Sequence, residues 1–298
     1  MYTRMLIPLD ESKVAEQVLP YARCFAKALA IPVELLEVID LETLHLVANP
    51  ERGRYLDTLV DEKTQTSKSY LNALARSFQG VDVNCSVENG KAAEVIIEKA
   101  AADKDTLIVM ATHGRSGVQR WLLGSVAEKV LHGASNHLLL VRARDEGQII
   151  GETVLKTVVV PLDGSALAEQ VLPRIVDLAK EMNIKVVFMR AYALPPAVTA
   201  DEYGTYMEEL VKHLESEALE YLAEKVKEAK AMGLENVEPV ACFGYGAEEI
   251  IKLGRQTPDN FIAMCTHGRS GVKYWVLGSV TERVVQHSGD PVLIIRAV

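Results

Sequence analysis

Short runs of branched and aliphatic residues alternate along this chain with longer stretches in which apolar positions recur every three or four residues. In the first half, Met5–Leu9, Val33–Ile39, Val81–Val87, Leu107–Ala111 and Leu138–Val141 have the length and β-branched content of strands. Between them, 12–30, 54–78, 92–102 and 125–133 carry the helical period. The second half repeats the order, with predicted strands at 157–162, 185–191, 237–242, 261–265 and 292–295 and predicted helices at 165–182, 201–232, 248–255 and 279–288. Parallel neighbours need a crossover connection, so this alternation predicts an α/β chain: two Rossmann-like domains, each a five-stranded parallel sheet with helices on both faces.

The halves share residues as well as pattern. Thr112-His-Gly-Arg-Ser-Gly-Val118, with Trp121 and Leu123-Gly-Ser-Val126, returns as Thr266-His-Gly-Arg-Ser-Gly-Val272, with Trp275 and Leu277-Gly-Ser-Val280. Near the start of each half, Leu6-Ile-Pro-Leu-Asp10 matches Val159-Val-Pro-Leu-Asp163, and Ala15-Glu-Gln-Val-Leu-Pro20 recurs unchanged from Ala168. The early matches are offset by 153 residues and the glycine segment by 154, so one residue separates the copies' lengths. That period is a domain duplication, since solenoid repeats run about 20–50 residues. The expected division is domain 1 over 1–143, a polar linker over 144–155, and domain 2 over 156–298. Stretches 40–54 and 192–205, rich in turn formers, are expected to be mobile loops beside the sheet ends where ligands sit.

Composition narrows the class. With 49% apolar and 24% charged residues, the chain reads as an ordinary soluble globular protein. A net charge of −9 argues against a nonspecific electrostatic grip on nucleic acid or anionic lipid and leaves room only for a local basic spot. The first residues meet Pro8 and Asp10 after a very short apolar run, which gives neither a signal peptide nor a span, and a cytoplasmic location is expected. Cys24, Cys85, Cys242 and Cys265 show no metal or disulfide spacing and are expected to be buried, reduced thiols.

The repeated residues fall where predicted strands end. In an open α/β sheet ligands bind outside the carboxyl ends of the strands. Asp10 and Asp163 close the first strand of each half, two residues before Ser12 and Ser165. Such a carboxylate accepts from a ribose hydroxyl or an adenine amine, or else the Asp or Ser merely caps the following helix. The fourth strand opens into the glycine segment and then into Gly-Ser at a helix start. There backbone N–H groups, a hydroxyl and the helix dipole make a phosphate cradle. Ordinary turn chemistry is the alternative for a single such loop, and two copies with intact spacing favour the ligand. This is neither a Walker A loop nor a GxGxxG fingerprint. His113 and His267 read as loop-structuring, Arg115 and Arg269 as phosphate donors or solvent-facing, and Trp121 and Trp275 as packing residues.

The order Pro-x-Asp-x-Ser, then small-x2-Gly-x9-Gly-Ser, resembles the universal stress protein family in its ATP-binding branch, and the resemblance covers nearly the whole chain twice. It implies adenine nucleotide, ATP or AMP, in each half, with Mg present only through the phosphates. Asp10 and Asp163 would lie near adenosine, and Val38 and Ala191 near adenine. Phosphate and ribose would meet Gly114, Gly124 and Ser125 in one half and Gly268, Gly278 and Ser279 in the other. Pro8, Met110, Arg115 and Val126, with Pro161, Met264, Arg269 and Val280, complete the candidate sites. Where the family pattern has its first glycine, this chain has Ala111 and Cys265. The resemblance also implies that the last strands pair the halves about a pseudo-twofold axis, with further dimerisation expected.

No acidic pair for Mg²⁺ and no general base recurs in the repeat, so no catalytic residue is assigned. The reading is a nucleotide-responsive regulatory module. Its rivals are a slow ATPase or nucleotidyl hydrolase and a scaffold with one or both sites empty.

Overall fold

The alternation of the sequence becomes strand and helix in a computed structural model that describes residues 1–42, 56–112, 123–143, 151–194, 200–266 and 277–297, with backbone alone for 56 and 200–206. Two compact units divide between Thr153 and Val154. The first contains β1 (Arg4–Leu9), α1 (Leu19–Leu29), β2 (Val33–Ile39), α2 (Leu56–Ala75), β3 (Val83–Asn89), α3 (Ala92–Ala101), β4 (Thr106–Thr112), α4 (Ser125–Gly133) and β5 (Leu138–Arg142). The second contains β6 (Thr157–Pro161), α5 (Val171–Met182), β7 (Lys185–Tyr192), α6 (Ala200–Ala231), β8 (Val237–Phe243), α7 (Gly246–Gln256), β9 (Asn260–Thr266), α8 (Ser279–His287) and β10 (Val292–Arg296).

Every pairing within each unit is parallel, in the order β3-β2-β1-β4-β5 and β8-β7-β6-β9-β10. The strands beside the switch of order are buried on both faces, as Met5, Leu6 and Ile7 of β1 and Leu107, Ile108 and Val109 of β4 show. Burial on both faces explains why these segments read as continuous apolar runs rather than alternating ones. Because β2 and β4 flank β1, and β7 and β9 flank β6, each sheet has a crevice beyond the carboxyl ends of its central strands.

The expected single helices at 12–30 and 165–182 are each broken. A 3₁₀ turn at Ala15–Val18 precedes α1, and a short helical turn at Ala166–Glu169 precedes α5. Pro20 and Pro173 are the reason: a proline within a continuous helix removes an amide donor and clashes one turn back, whereas the first turn tolerates it. All four cysteines are thiols outside any disulfide among the described residues, but they are half-buried rather than buried. Among the described residues, no helix is long and apolar enough to cross a membrane.

Domain 1 also contains a polar cluster that has no equivalent among the described residues of domain 2. Glu34 on β2, almost fully buried, receives Arg4 at 3.0 Å, Lys99 at 2.8 Å and the Ser86 hydroxyl at 2.7 Å. Burial opposes its ionisation, but the Lys99 and Ser86 hydrogen bonds and the charges of Lys99 and Arg4 outweigh that and hold its carboxyl below the ordinary value. A depressed folded pKa supplies stability above the unfolded value and loses it as pH falls through the folded one. Lys99→Met is therefore expected to cost about 1–3 kcal/mol at neutral pH, because it removes one partner of a buried carboxylate. The difference from wild type should shrink in urea titrations taken below the ordinary carboxylate range.

Candidate functional site

The site starts with a turn that both halves make in the same way. After β1, Glu11 takes φ 61°, and after β6, Gly164 takes φ 86°. Positive φ costs a side-chain-bearing residue about 1–2 kcal/mol. Domain 1 tolerates that with Glu11 anchored by Lys63 at 2.6 Å. The turn is closed by the preceding aspartate: the Ser12 amide donates to Asp10 Oδ1 at 3.1 Å, and the Ser165 amide to Asp163 Oδ1 at 2.9 Å. The serine then caps the next helical turn, its hydroxyl accepting from the Ala15 or Ala168 amide at 3.1 Å in each case. Serine is thus the cap, and the aspartate organises the turn while lining the crevice.

Opposite that turn stand the ends of β4 and β9, Met110-Ala111 and Met264-Cys265, and the starts of α4 and α8. Gly124 and Gly278 precede those helices with extended backbone and no side-chain cap. The first-turn amides of Ser125 and Val126, or Ser279 and Val280, therefore lack an intrahelical partner and lie at the crevice. Every described candidate in domain 1 (Pro8, Asp10, Val38, Met110, Ala111, Gly124, Ser125, Val126) lines one cavity of about 290 Å³. Their counterparts Pro161, Asp163, Ala191, Met264, Cys265, Gly278, Ser279 and Val280 line a second, of about 270 Å³. Gly114, Arg115, Gly268 and Arg269 lie outside the described residues, as do His113, His267, Trp121 and Trp275.

The cavities have walls that the motifs alone do not reveal. Val14, Ala15 and Leu36, with Ala92 and Ile96 of α3, complete the first. Leu167, Ala168 and Met189, with Gly246 and Ile250 of α7, complete the second. The signal for them was periodicity. Leu36 precedes Val38 by one strand repeat, and Ile96 follows Ala92 by one helical turn, so each shares the face of its partner. The result is an apolar slot between sheet and helix, with a carboxylate at one end and a helix N-terminus at the other. It fits a flat heterocycle that carries hydroxyls and an anionic tail.

Electrostatics distinguish the copies. Burial opposes ionisation of Asp163, but hydrogen bonds from the Ser165 side chain and backbone, helped by the Arg190 charge, hold its carboxyl below the ordinary value. Burial pushes the Cys265 thiol up to about 11, against a Thr266 amide hydrogen bond and the charge of Arg296. Since the thiolate is the nucleophile, alkylation of Cys265 should be slow at neutral pH and quicken about tenfold per pH unit towards 11. Peptide mapping after maleimide treatment would show this, and a ligand in the second cavity should suppress it.

Known proteins resemble this chain in sequence and fold. The sequence profile described as the universal stress protein family matches residues 1–142 and 155–296. A universal stress protein of Mycolicibacterium smegmatis is 23% identical over 304 residues, spanning 98% of this chain and 96% of that one. One from Methanocaldococcus jannaschii is 33% identical over 158 residues, which are 49% of this chain and 98% of that one. The crystal structure of a universal stress protein from Archaeoglobus fulgidus superposes with a TM-score of 0.70 at 22% identity over 98% of both chains, a likeness of fold.

Proposed function

The chain belongs to the universal stress protein family, and from that premise we propose that it binds an adenine nucleotide, ATP or AMP, in each of its two cavities and acts as a nucleotide-responsive cytoplasmic module rather than an enzyme. The observation that carries this reading is the equivalence of the two cavities: the same aligned positions, including Asp10 and Asp163 and the helix starts at Ser125 and Ser279, line both. Adenine fills the apolar slot beside Val38 or Ala191, the aspartate accepts from the ribose, and phosphate meets the uncapped amides of α4 or α8. Magnesium, where present, rides on the phosphates.

The direct test is mass spectrometry of nucleotide released on denaturing the purified protein, followed by calorimetry of the emptied chain with ATP and AMP. Two adenylates per chain are expected. A chain that binds neither at millimolar concentration overturns the reading. Steady-state turnover of Mg²⁺-ATP is expected to lie well below the roughly 1–10³ s⁻¹ of ordinary enzymes, and a rate within that range would make the protein an ATPase.

A further inference from the structure

The two cavities have nearly the same lining but opposite charge behind the aspartate. Strand alternation places Glu37 of β2 and Arg190 of β7 at equivalent positions, on the sheet face away from Leu36 and Val38 or Met189 and Ala191. In domain 1 the side chain at this position is a buried carboxylate, 3% exposed, whose Oε1 meets Lys63 at 3.1 Å and whose Oε2 has no hydrogen-bond partner among the described residues. Lys63 also serves Glu11. Nearby Tyr70 donates to Glu16 at 3.3 Å and feels the charges of Glu16, Asp10 and Glu37. Four carboxylates, Asp10, Glu11, Glu16 and Glu37, thus share this end of the sheet with two lysines, Lys63 and the exposed Lys13, which pairs with Glu16 at 2.8 Å.

Domain 2 rebuilds the same place around cations. The Arg190 guanidinium lies over the Tyr221 ring at 4.6 Å from its centroid. It reaches the underside of the aspartate turn, where Arg190 Nη2 would stand 3.5 Å from a Cβ on Gly164. Tyr221 donates to Glu169 at 2.8 Å, and Lys225 pairs with the same carboxylate at 3.0 Å. Here three carboxylates, Asp163, Glu169 and the exposed Glu228, which pairs with Lys225 at 3.0 Å, stand with two cations, Arg190 and Lys225. The two glutamates Glu11 and Glu37 beside Asp10 are replaced at the equivalent positions by Gly164 and Arg190 beside Asp163.

We propose that the two cavities select different charge states of the same ligand, domain 2 favouring the highly anionic nucleoside triphosphate and domain 1 favouring less charged adenylates, with Arg190 and Glu37 as the residues that set the difference. The inference rests on the adenine-nucleotide reading above. The base and sugar walls are matched between the copies, so discrimination falls to the long-range field, which acts on the phosphates through the protein and is screened by salt.

The experiment uses the full chain with one cavity closed, Gly124→Val to leave domain 2 and Gly278→Val to leave domain 1. Adenosine, AMP and ATP are titrated calorimetrically at ionic strengths of about 10 mM and about 1 M, where the screening length falls from about 30 Å to about 3 Å. The ratio of ATP to adenosine affinity is expected to be roughly tenfold larger in domain 2 at low salt, and to converge between the domains at high salt. Arg190→Gln should bring the domain 2 ratio down to that of domain 1, Arg190→Lys should keep most of it, and Glu37→Gln should raise the domain 1 ratio. The pair of substitutions on different domains keeps the test intact if one of them unfolds its domain. Equal ratios in the two domains, or an Arg190→Gln chain that loses adenosine and ATP alike, overturn this inference alone. Failure of all three ligands to bind either single-cavity chain overturns the adenine-nucleotide reading, and the inference with it.

Discussion

Gly278→Val is expected to remove one of two bound nucleotides while leaving the protein folded. Gly278 sits at φ −65° and ψ 149°, backbone that any residue adopts, so valine introduces no strain there. A Cβ built on it meets no described protein atom within 4 Å, so the added side chain extends into open space at a position that lines the cavity. Helix α8 stays anchored by Thr281, Val284 and Val285, all buried. Replacing glycine at an N-cap by an aliphatic residue costs about 1 kcal/mol or less, so the melting temperature should fall by only a few degrees. A phosphate bound to the Ser279 and Val280 amides has no such tolerance, because an isopropyl group displaces it from the donors. Affinity in that cavity should drop about a hundredfold or more, close to 3 kcal/mol, and calorimetric stoichiometry should go from two sites to one. Gly124→Val, at φ −59° and ψ 146°, is expected to do the same to the other site. Two unchanged sites in either variant would mean that no ligand approaches the helix starts.

What made this architecture readable was burial on both faces of the central strands. β1 and β4 present unbroken apolar segments, and the carboxyl ends of such segments are where polar repeats such as Pro-Leu-Asp stand out. The aspartates, Gly124-Ser125 and Gly278-Ser279 were legible because they interrupt an apolar pattern at matching positions in both copies. The break before α1 was missed: Pro20 marks it, but a helical period running across it disguised the boundary. The charged layer behind the aspartates was not legible. Glu37 and Arg190 look like isolated polar interruptions of apolar strands, and their partners, Lys63 and Tyr221, come from helices whose register against the sheet is set by tertiary packing. The difference that stands out between the two copies in sequence is instead Ala111 against Cys265. Both line their cavities, and the exchange adds a sulfur to one wall, whereas the change from Glu37 to Arg190 reverses a charge.

Asp163→Asn and Asp163→Ala together separate the two roles that the structure gives this residue. Asparagine keeps an Oδ1 that accepts from the Ser165 amide, so the turn at Gly164 and the cap that Ser165 provides should survive. It loses the charge, and a hydrogen bond from a ribose hydroxyl to an ionised acceptor contributes about 1.5–3 kcal/mol. Adenosine affinity in domain 2 should therefore fall between about tenfold and a hundredfold in Asp163→Asn with little change in melting temperature. Alanine removes the turn acceptor as well, and should add about 1 kcal/mol of lost stability to the same loss of affinity. The pH dependence supplies an independent reading when adenosine, which has no phosphate to titrate, is the ligand. Since Asp163 is held below the ordinary aspartate value, it stays ionised as pH falls through that range. Adenine N1 takes up a proton in the acid range too, so the reading is the ratio of wild-type to Asp163→Asn affinity, in which that protonation cancels: the ratio should hold there and decline only under still more acidic conditions. If both variants keep wild-type affinity and alanine loses only stability, the aspartate serves the turn alone, and the ribose must find its acceptor elsewhere in the cavity.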